Sequence, residues 1–392
     1  MQRRRVVILG ASFAGLAVAL QLEQHLDRGL EIVVVSKGKD FVFLPSLIWV
    51  PFGLREKREI SFPLADLFDK RRIRFVSGAV RAIELDARAV HTVHGSEPYD
   101  VLVIATGVKQ DFHAVPGLGP PEGHSQSIFT WDDADRARTA FEAFLEAPGP
   151  VVIGSVQGAS SFSPAYEFAL NMAHHIERRG LTARCPITFV TPEPFCGHLG
   201  TGQFGEGGGA VARLMKHAKI TVLTNARVEA VRAHEIQLDG GRTLPFAYAM
   251  LTPPFLGIDP VRACADIVDP RGLVVVDEHL RTTRPDVFAA GIAVSMPPLE
   301  PTHVPLGRPV NGRLSEEMGR VVAHNVLASL DQTAMTEIDP RRLEYTIDAG
   351  NHGASIESDP EGGGRTLLPT IAGHWAKVAY ERYFLTHRRR GA

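Results

Sequence analysis

Glu167, Cys196 and His198 are the side chains of this sequence whose types suit them to moving protons or electrons. Glu167 stands in PAYEF, a largely apolar run read as helix. Burial there raises the pKa of a carboxyl group and makes it a proton carrier near neutral pH. The alternative is a helix-surface or first-turn carboxylate favoured by the macrodipole. His198 is an imidazole able to shuttle protons at neutral pH, or a satisfied loop histidine. Cys196, two residues before it, is a nucleophile only as a thiolate, which a neighbouring imidazole would favour. A small buried thiol filling a loop is the simpler reading. His174 and His175, adjacent on a helix, point in different directions and make a poor metal pair, so no metal site is expected.

A second group of residues has the spacing of a phosphate-binding turn. Arg5–Leu9 is a short apolar run, read as a buried strand, and Leu16–Leu26 is an apolar-periodic helix. Between them lies Gly10-Ala11-Ser12-Phe13-Ala14-Gly15, and a second buried strand, Glu31–Val35, follows. This is the strand, turn, helix and strand order in which a Gly-rich turn acquires meaning. Gly10 permits the tight turn and Gly15 lets helix and strand pack closely. Ser12 replaces the middle glycine but is small enough to let a pyrophosphate approach the helix N-terminus at Ala14. Ser36-Lys37 stands where an acidic residue usually grips a ribose.

Other elements must position these groups. Tyr99–Val108 is a strand ending in Ala105-Thr106-Gly107, and Arg284–Ala293 is one ending in Gly291-Ile292. A second strand-turn-helix unit spans Pro150–Ile176, its helix starting near Pro164, a residue tolerated in a first turn. Its turn has Gly154 and Gly158 but no third glycine. The next strand, Ile187–Thr191, has Glu193 near its end rather than at it. A bound NAD(P)H is therefore not expected.

The chain has 392 residues, enough for two or three domains, with 44% hydrophobic and 22% charged residues. The formal net charge of -2 gives no pull toward nucleic acid. Three separated cysteines, Cys185, Cys196 and Cys264, form neither a disulfide framework nor a zinc knuckle. They suit a reducing cytosol. No apolar stretch reaches the ~20 residues of a membrane span. The expected location is cytoplasmic, with attachment to the inner face of the membrane as the peripheral alternative. The C-terminal segment Gly373–Ala392 places Trp375, Val378, Ala379, Tyr383 and Phe384 on one stripe, with a basic end at Arg388-Arg389-Arg390. That stripe could dock weakly on an anionic bilayer or pack on the protein.

The three small-residue turns resemble the fingerprints of two-dinucleotide-binding-domain flavoproteins. The segments Phe41–Gly53, Gln157–Phe168, Thr188–Gly200, Leu251–Gly257 and Met296–Gly312 are similar, in order, to those of sulfide:quinone oxidoreductases and flavocytochrome c sulfide dehydrogenases. The resemblance runs nearly the whole chain and implies FAD as cofactor. Its cofactor contacts would fall at Gly10, Ser12, Ala14, Gly15, Ser36, Lys37, Ala105, Thr106, Gly107, Gly291 and Ile292, with Pro45 in a loop covering part of the flavin. In that family sulfide attacks a cysteine disulfide beside the flavin. The matching positions here are Phe129, Ser161 and, within one residue, Tyr345, so that chemistry lacks its thiolates. A lysine expected near the quinone is Val310, in Pro309-Val310-Asn311-Gly312. The positive end of the following helix, Arg313–Leu330, is a candidate substitute. Glu167, His198 and Ser161 are the catalytic candidates the resemblance carries over.

The expected fold is α/β, with two interleaved Rossmann-like dinucleotide-binding domains and a C-terminal region over the flavin. The expected limits are 1–111 for the first part of the FAD domain, 112–245 for the second dinucleotide fold, 246–312 for the returning part, and 313–392 for the C-terminal region. The expected function is FAD-dependent transfer of two electrons from a small donor to a quinone-like acceptor. The alternatives are a soluble flavin reductase using NAD(P)H or an organic donor, and a non-catalytic flavoprotein subunit.

Overall fold

Residues 3–202, 205–339, 344–357 and 365–390 are described by the computed structural model. The apolar run at the N-terminus forms β1, Arg4–Leu9, buried from Val6 onward. The turn is followed at once by α1, Phe13–Glu23, which begins three residues before its apolar periodicity places it. Nearly all of α1 is buried, as befits a helix that is apolar on every side. Next come β2, Leu30–Ser36, β3, Arg74–Ser77, and β4, Val101–Ile104. A short strand, β5, covers Val108–Gln110.

The second unit consists of β6, Val151–Ser155, α2, Ser163–Arg178, β7, Ile187–Val190, β8, Thr221–Leu223, and β9, Tyr248–Thr252. Pro164 lies in the first turn of α2, where its missing N–H costs nothing. The order in this sheet is β8-β7-β6-β9, all parallel. Tyr248–Thr252 was expected to open the returning segment, yet it pairs along its whole length with β6. Both strands are buried on both faces, as strands of a parallel sheet covered on its two faces are. The return to the first domain thus follows Thr252. There β10, Phe255–Gly257, pairs antiparallel with β5.

Val287–Ala289, β11, completes the first sheet in the order β11-β4-β1-β2-β3, again parallel. Helix α3, Gly312–Asp331, packs so closely on α1 that a Cβ at Gly319 would stand 2.5 Å from the Ala14 carbonyl oxygen. An antiparallel sheet of β12, Glu344–Asp348, β13, Gly353–Glu357, and β14, Arg365–Thr370, leads to the last helix, α4, Ile371–Arg390. The observed architecture is the expected pair of Rossmann-like units with a C-terminal region beside them.

Of the expected apolar stripe of α4, only Val378 and Phe384 are buried. Trp375 is 59% and Tyr383 64% exposed, whereas Lys377, Val378, Glu381, Phe384 and Leu385 are buried. Two arginines of the basic end have partners, and the side chain of Arg390 lies outside the described residues. Arg388 pairs with Glu316 at 3.2 Å, and Arg389 donates to the carbonyls of Arg58, Glu59 and Ser61. Among the described residues, no helix is long and apolar enough to cross a membrane.

Candidate functional site

The turns after β1, β2, β4 and β11 gather at the carboxyl ends of the first sheet, where open α/β sheets bind their ligands. They open into a cavity of about 2110 Å³. Gly10, Ser12, Ala14, Ser36, Lys37, Pro45, Ala105, Thr106, Gly107, Gly291 and Ile292 all line it. Gly15 does not. Its place is underneath, where a Cβ would stand 2.0 Å from the Gly10 carbonyl oxygen.

The geometry of this cradle fits a dinucleotide diphosphate. Gly10 has φ +100, and a Cβ there would meet the Ala105 carbonyl oxygen at 2.1 Å. Helix α1 has no side-chain cap and no acidic residue in its first turn. Its leading N–H groups therefore remain for an anion, and the helix dipole favours one. The N-terminus of α3 differs, because Asn311 caps it by accepting from the Leu314 N–H at 2.9 Å. That terminus, expected to replace the missing lysine, has already spent one of its N–H groups on Asn311.

A positive charge reaches the cavity by another route. Lys377 of α4 forms a buried ion pair with Glu167 of α2, and both side chains line the cavity. The Glu167 Oε2 also accepts the Asp348 backbone N–H at 3.2 Å. Burial pushes the Glu167 carboxyl up to about 7, with Lys377 pulling the other way. The carboxyl is thus poised to change protonation near neutrality. Sequence reasoning found Glu167 but missed Lys377. The available signal was the spacing of His374, Lys377 and Glu381, which puts three polar groups on one face of α4.

Ser161, Phe129 and Tyr345, the three positions matched to cysteines, line the same cavity. Phe129 packs on Phe255 with ring centroids 4.6 Å apart. Tyr345 is buried, and its hydroxyl has no hydrogen-bond partner among the described residues. Burial holds that phenol in its protonated form. The hydroxyl itself is sealed from solvent, with Arg308 and Glu193 as its charged neighbours, so it does not open onto the cavity.

His198 is not in the cavity lining. Its Nδ1 accepts the Gly200 N–H at 3.1 Å, and its Nε2 donates to Glu300 at 2.8 Å. Cys196 gains no thiolate character from it. Burial and the nearby Glu193 push the thiol up to about 11. Cys185 and Cys264 are buried, and none of the three cysteines lines the cavity.

Glu193 is wholly buried, accepting from Tyr166 at 2.8 Å, Thr191 at 2.6 Å and the Leu199 N–H at 2.6 Å. It anchors the loop after β7 and does not reach outward toward a ribose. The Gly-rich turn of the second unit is engaged as well. Gly158 N–H donates to the Pro305 carbonyl at 2.7 Å, and Gly307 N–H to the Ala159 carbonyl at 2.8 Å. The 304–307 segment therefore lies on the turn, where a second diphosphate would need those groups.

Residues 4–304 match the family model described as pyridine nucleotide-disulphide oxidoreductase. The sulfide-quinone reductase of Aquifex aeolicus (strain VF5) is 33% identical over 400 residues, covering 99% of this chain and 92% of that protein. The X-ray structure of the sulfide:quinone oxidoreductase from Aquifex aeolicus superposes with a TM-score of 0.92, over 99% of this chain and 92% of that one, at 31% identity. An NADH dehydrogenase-like protein of Mycobacterium tuberculosis (strain ATCC 25618 / H37Rv) is more distant, 25% identical over 89% of this chain and 86% of its own length.

Proposed function

From the premise that this chain belongs to the pyridine nucleotide-disulphide oxidoreductase family, on its sulfide-quinone reductase branch, and is an FAD-dependent oxidoreductase, we propose how it departs from sulfide chemistry. It passes two electrons from a small donor to a quinone-like acceptor without a cysteine persulfide. The observation that carries this reading is the cavity wall, where Ser161, Phe129 and Tyr345 stand and no cysteine does. A hydroxyl or a ring cannot hold a persulfide, since that needs a nucleophilic, polarisable sulfur.

FAD, when bound, supplies the two-electron redox chemistry. Gly10, Ser12 and Ala14, at the N-terminus of α1, would hold its diphosphate, and Thr106, Gly107, Gly291 and Ile292 would line the rest of its site. Glu167 carries the proton that accompanies electron transfer. Lys377 would keep a positive charge beside it, where negative charge on a bound ligand is favoured. Ser161 borders the donor. His198 positions its loop. What speaks against a nicotinamide donor is the use of the Gly158 and Gly307 N–H groups within the protein. We place the protein in the cytoplasm, with any membrane contact peripheral and made by exposed Trp375 and Tyr383.

An anaerobic reduction screen followed by reoxidation with decylquinone tests this. The expected result is a yellow protein, unbleached by sulfide, reduced by an organic donor and reoxidised by the quinone. Bleaching by sulfide overturns the cysteine-free reading, and bleaching by NADH moves the assignment to a nicotinamide-dependent reductase. A flavin that only dithionite reduces points to a non-catalytic subunit.

A further inference from the structure

A second, smaller cavity of about 280 Å³ lies where the end of α2, the segment after Trp49, the turn between β12 and β13, and α4 meet. It shares no lining residue with the large cavity. Three guanidinium groups, those of Arg55, Arg178 and Arg382, line it, and among the described residues no carboxylate does. Trp49 and Trp375 add two indoles to its wall.

The positive charges fall into two sets. Arg55 is compensated and fixed in place. Its Nε donates to Glu381 at 3.0 Å and its Nη1 to the Leu54 carbonyl at 2.8 Å, and its guanidinium carbon lies 4.5 Å from the centroid of the Trp49 ring. Its Nη2 has no hydrogen bond among the described residues. His374, also in the lining, is compensated by Asp348, with Nδ1 and Oδ1 2.6 Å apart. Arg178 and Arg382 are exposed, and among the described residues their guanidinium groups make neither a hydrogen bond nor an ion pair. Two positive charges thus border one small space without a countercharge. Their field is felt by the imidazoles of the same wall. Burial and then Arg178 hold His174 below its ordinary value. Burial, then Arg179, with His174 and Arg178 after it, push His175 down to about 4.

We propose that the small cavity is a binding site for a phosphate monoester. Such a group carries a charge of about −1.5 to −2 at pH 7, which matches the two uncompensated guanidinium groups. Its three terminal oxygens suit three guanidinium forks, whereas a carboxylate brings two oxygens and a single charge. The volume is near the lower end of the roughly 300–1,000 Å³ of small-molecule sites, which leaves room beside the phosphate for a small organic group. Trp49 and Trp375 give that group an apolar wall. A soluble phosphate ester and the headgroup of phosphatidic acid both present this chemistry. The site stands apart from the electron-transfer reading, because none of its residues belongs to the large cavity.

Calorimetric titration of the flavin-loaded protein with glycerol 3-phosphate tests the site, since bound flavin keeps the probe out of the diphosphate cradle. A single saturable site is expected, with succinate, a dianion whose charges sit at opposite ends, at least about tenfold weaker. Arg178→Gln and Arg382→Gln should each weaken binding about tenfold, and together about a hundredfold. Neither substitution strands a partner, so the fold should be kept. Arg184→Gln, at an exposed arginine that lines neither cavity, should change nothing. Phosphatidylcholine vesicles containing phosphatidic acid, read by co-sedimentation, form the second arm. Binding of glycerol 3-phosphate that the double variant loses assigns the site to a soluble ester. Binding of the vesicles alone, again lost in the double variant, assigns it to a lipid headgroup. Binding of neither probe, binding that survives in the double variant, an equal loss in Arg184→Gln, or succinate bound as tightly as glycerol 3-phosphate overturns the proposal.

Discussion

Lys377 pairs with Glu167, 210 positions earlier in the chain, inside the wall of the large cavity. An ion pair taken out of water gains little net stability, yet removing one partner leaves the other uncompensated. Lys377→Met should therefore destabilise the protein by roughly 2–4 kcal/mol, less than a stranded charge would cost because the carboxyl can take up a proton. The double variant Lys377→Met/Glu167→Gln should recover at least half of that loss. Urea unfolding of the four forms at one pH measures both. A fully additive cycle would show that the two residues are not energetically coupled.

Glu193 gives the fold a pH dependence of opposite sign to the usual carboxylate. Burial raises it from 4.5 to about 7, against the bonds from Thr191, Leu199 and Tyr166. In the interval between those values the unfolded chain has released the proton while the folded chain keeps it. Its contribution is fully present below about pH 4.5 and is lost as pH rises through about 7. His175 runs the other way, since burial and Arg179 lower it from 6.5 to about 4. Its contribution is present above 6.5 and lost as pH falls toward 4. Comparing wild type with Glu193→Gln cancels the histidine. The variant should gain on wild type by roughly 1–3 kcal/mol between about pH 5 and pH 8. A stability difference independent of pH would mean that Glu193 titrates as it does in the unfolded chain.

The first dinucleotide fold was legible because its demands are local. Gly10 and Gly15 are required by contacts of their own backbone with neighbouring turns, at 2.1 Å and 2.0 Å for an added Cβ. Pro164 likewise marked the start of α2. The strand Tyr248–Thr252 was assigned to the wrong side of a boundary because a buried apolar run carries no label for its sheet. The face of α4 was misread for a related reason. Apolarity favoured Trp375 and Tyr383, but what buries a polar side chain is a partner, and the partners come from distant segments. Lys377 meets Glu167, His374 meets Asp348, and Glu381 meets Ser46 and Arg55. Nothing local to α4 announces Glu167, Asp348 or Ser46, so half of the candidate site stayed hidden while its dinucleotide half was readable.

Cys196 should be chemically quiet. With its thiol raised to about 11, the thiolate fraction near neutrality is about a hundredfold below that of an unperturbed cysteine. Iodoacetamide at about pH 7.5 should label native Cys196 that much more slowly than the unfolded chain. Cys196→Ala should change the rate of flavin reduction by less than about twofold, given the absence of cysteine from the cavity wall. Rapid labelling of the native thiol, read by mass spectrometry of the peptide, would reopen a thiolate role.

Two substitutions in the first turn separate the backbone from the side chain. A methyl group at Gly10 would stand 2.1 Å from the Ala105 carbonyl oxygen, and φ +100 is itself unfavourable for any other residue. The contact is with backbone on a buried strand end, so no rotamer change relieves it, and the displaced atoms are those that frame the diphosphate. Gly10→Ala should therefore lose bound flavin, weakening it by about a hundredfold or more, or about 3 kcal/mol. Ser12 is different, because its side chain makes no cap to the helix and lines the open cavity. Ser12→Gly removes an atom from the approach of the diphosphate but adds backbone freedom costing roughly 1 kcal/mol or less. Flavin affinity should then stay within about fivefold of wild type. Fluorescence titration of flavin release from both variants decides the matter. Loss of flavin in Ser12→Gly equal to that in Gly10→Ala would show that the serine side chain, rather than the bare N–H groups of α1, holds the phosphates.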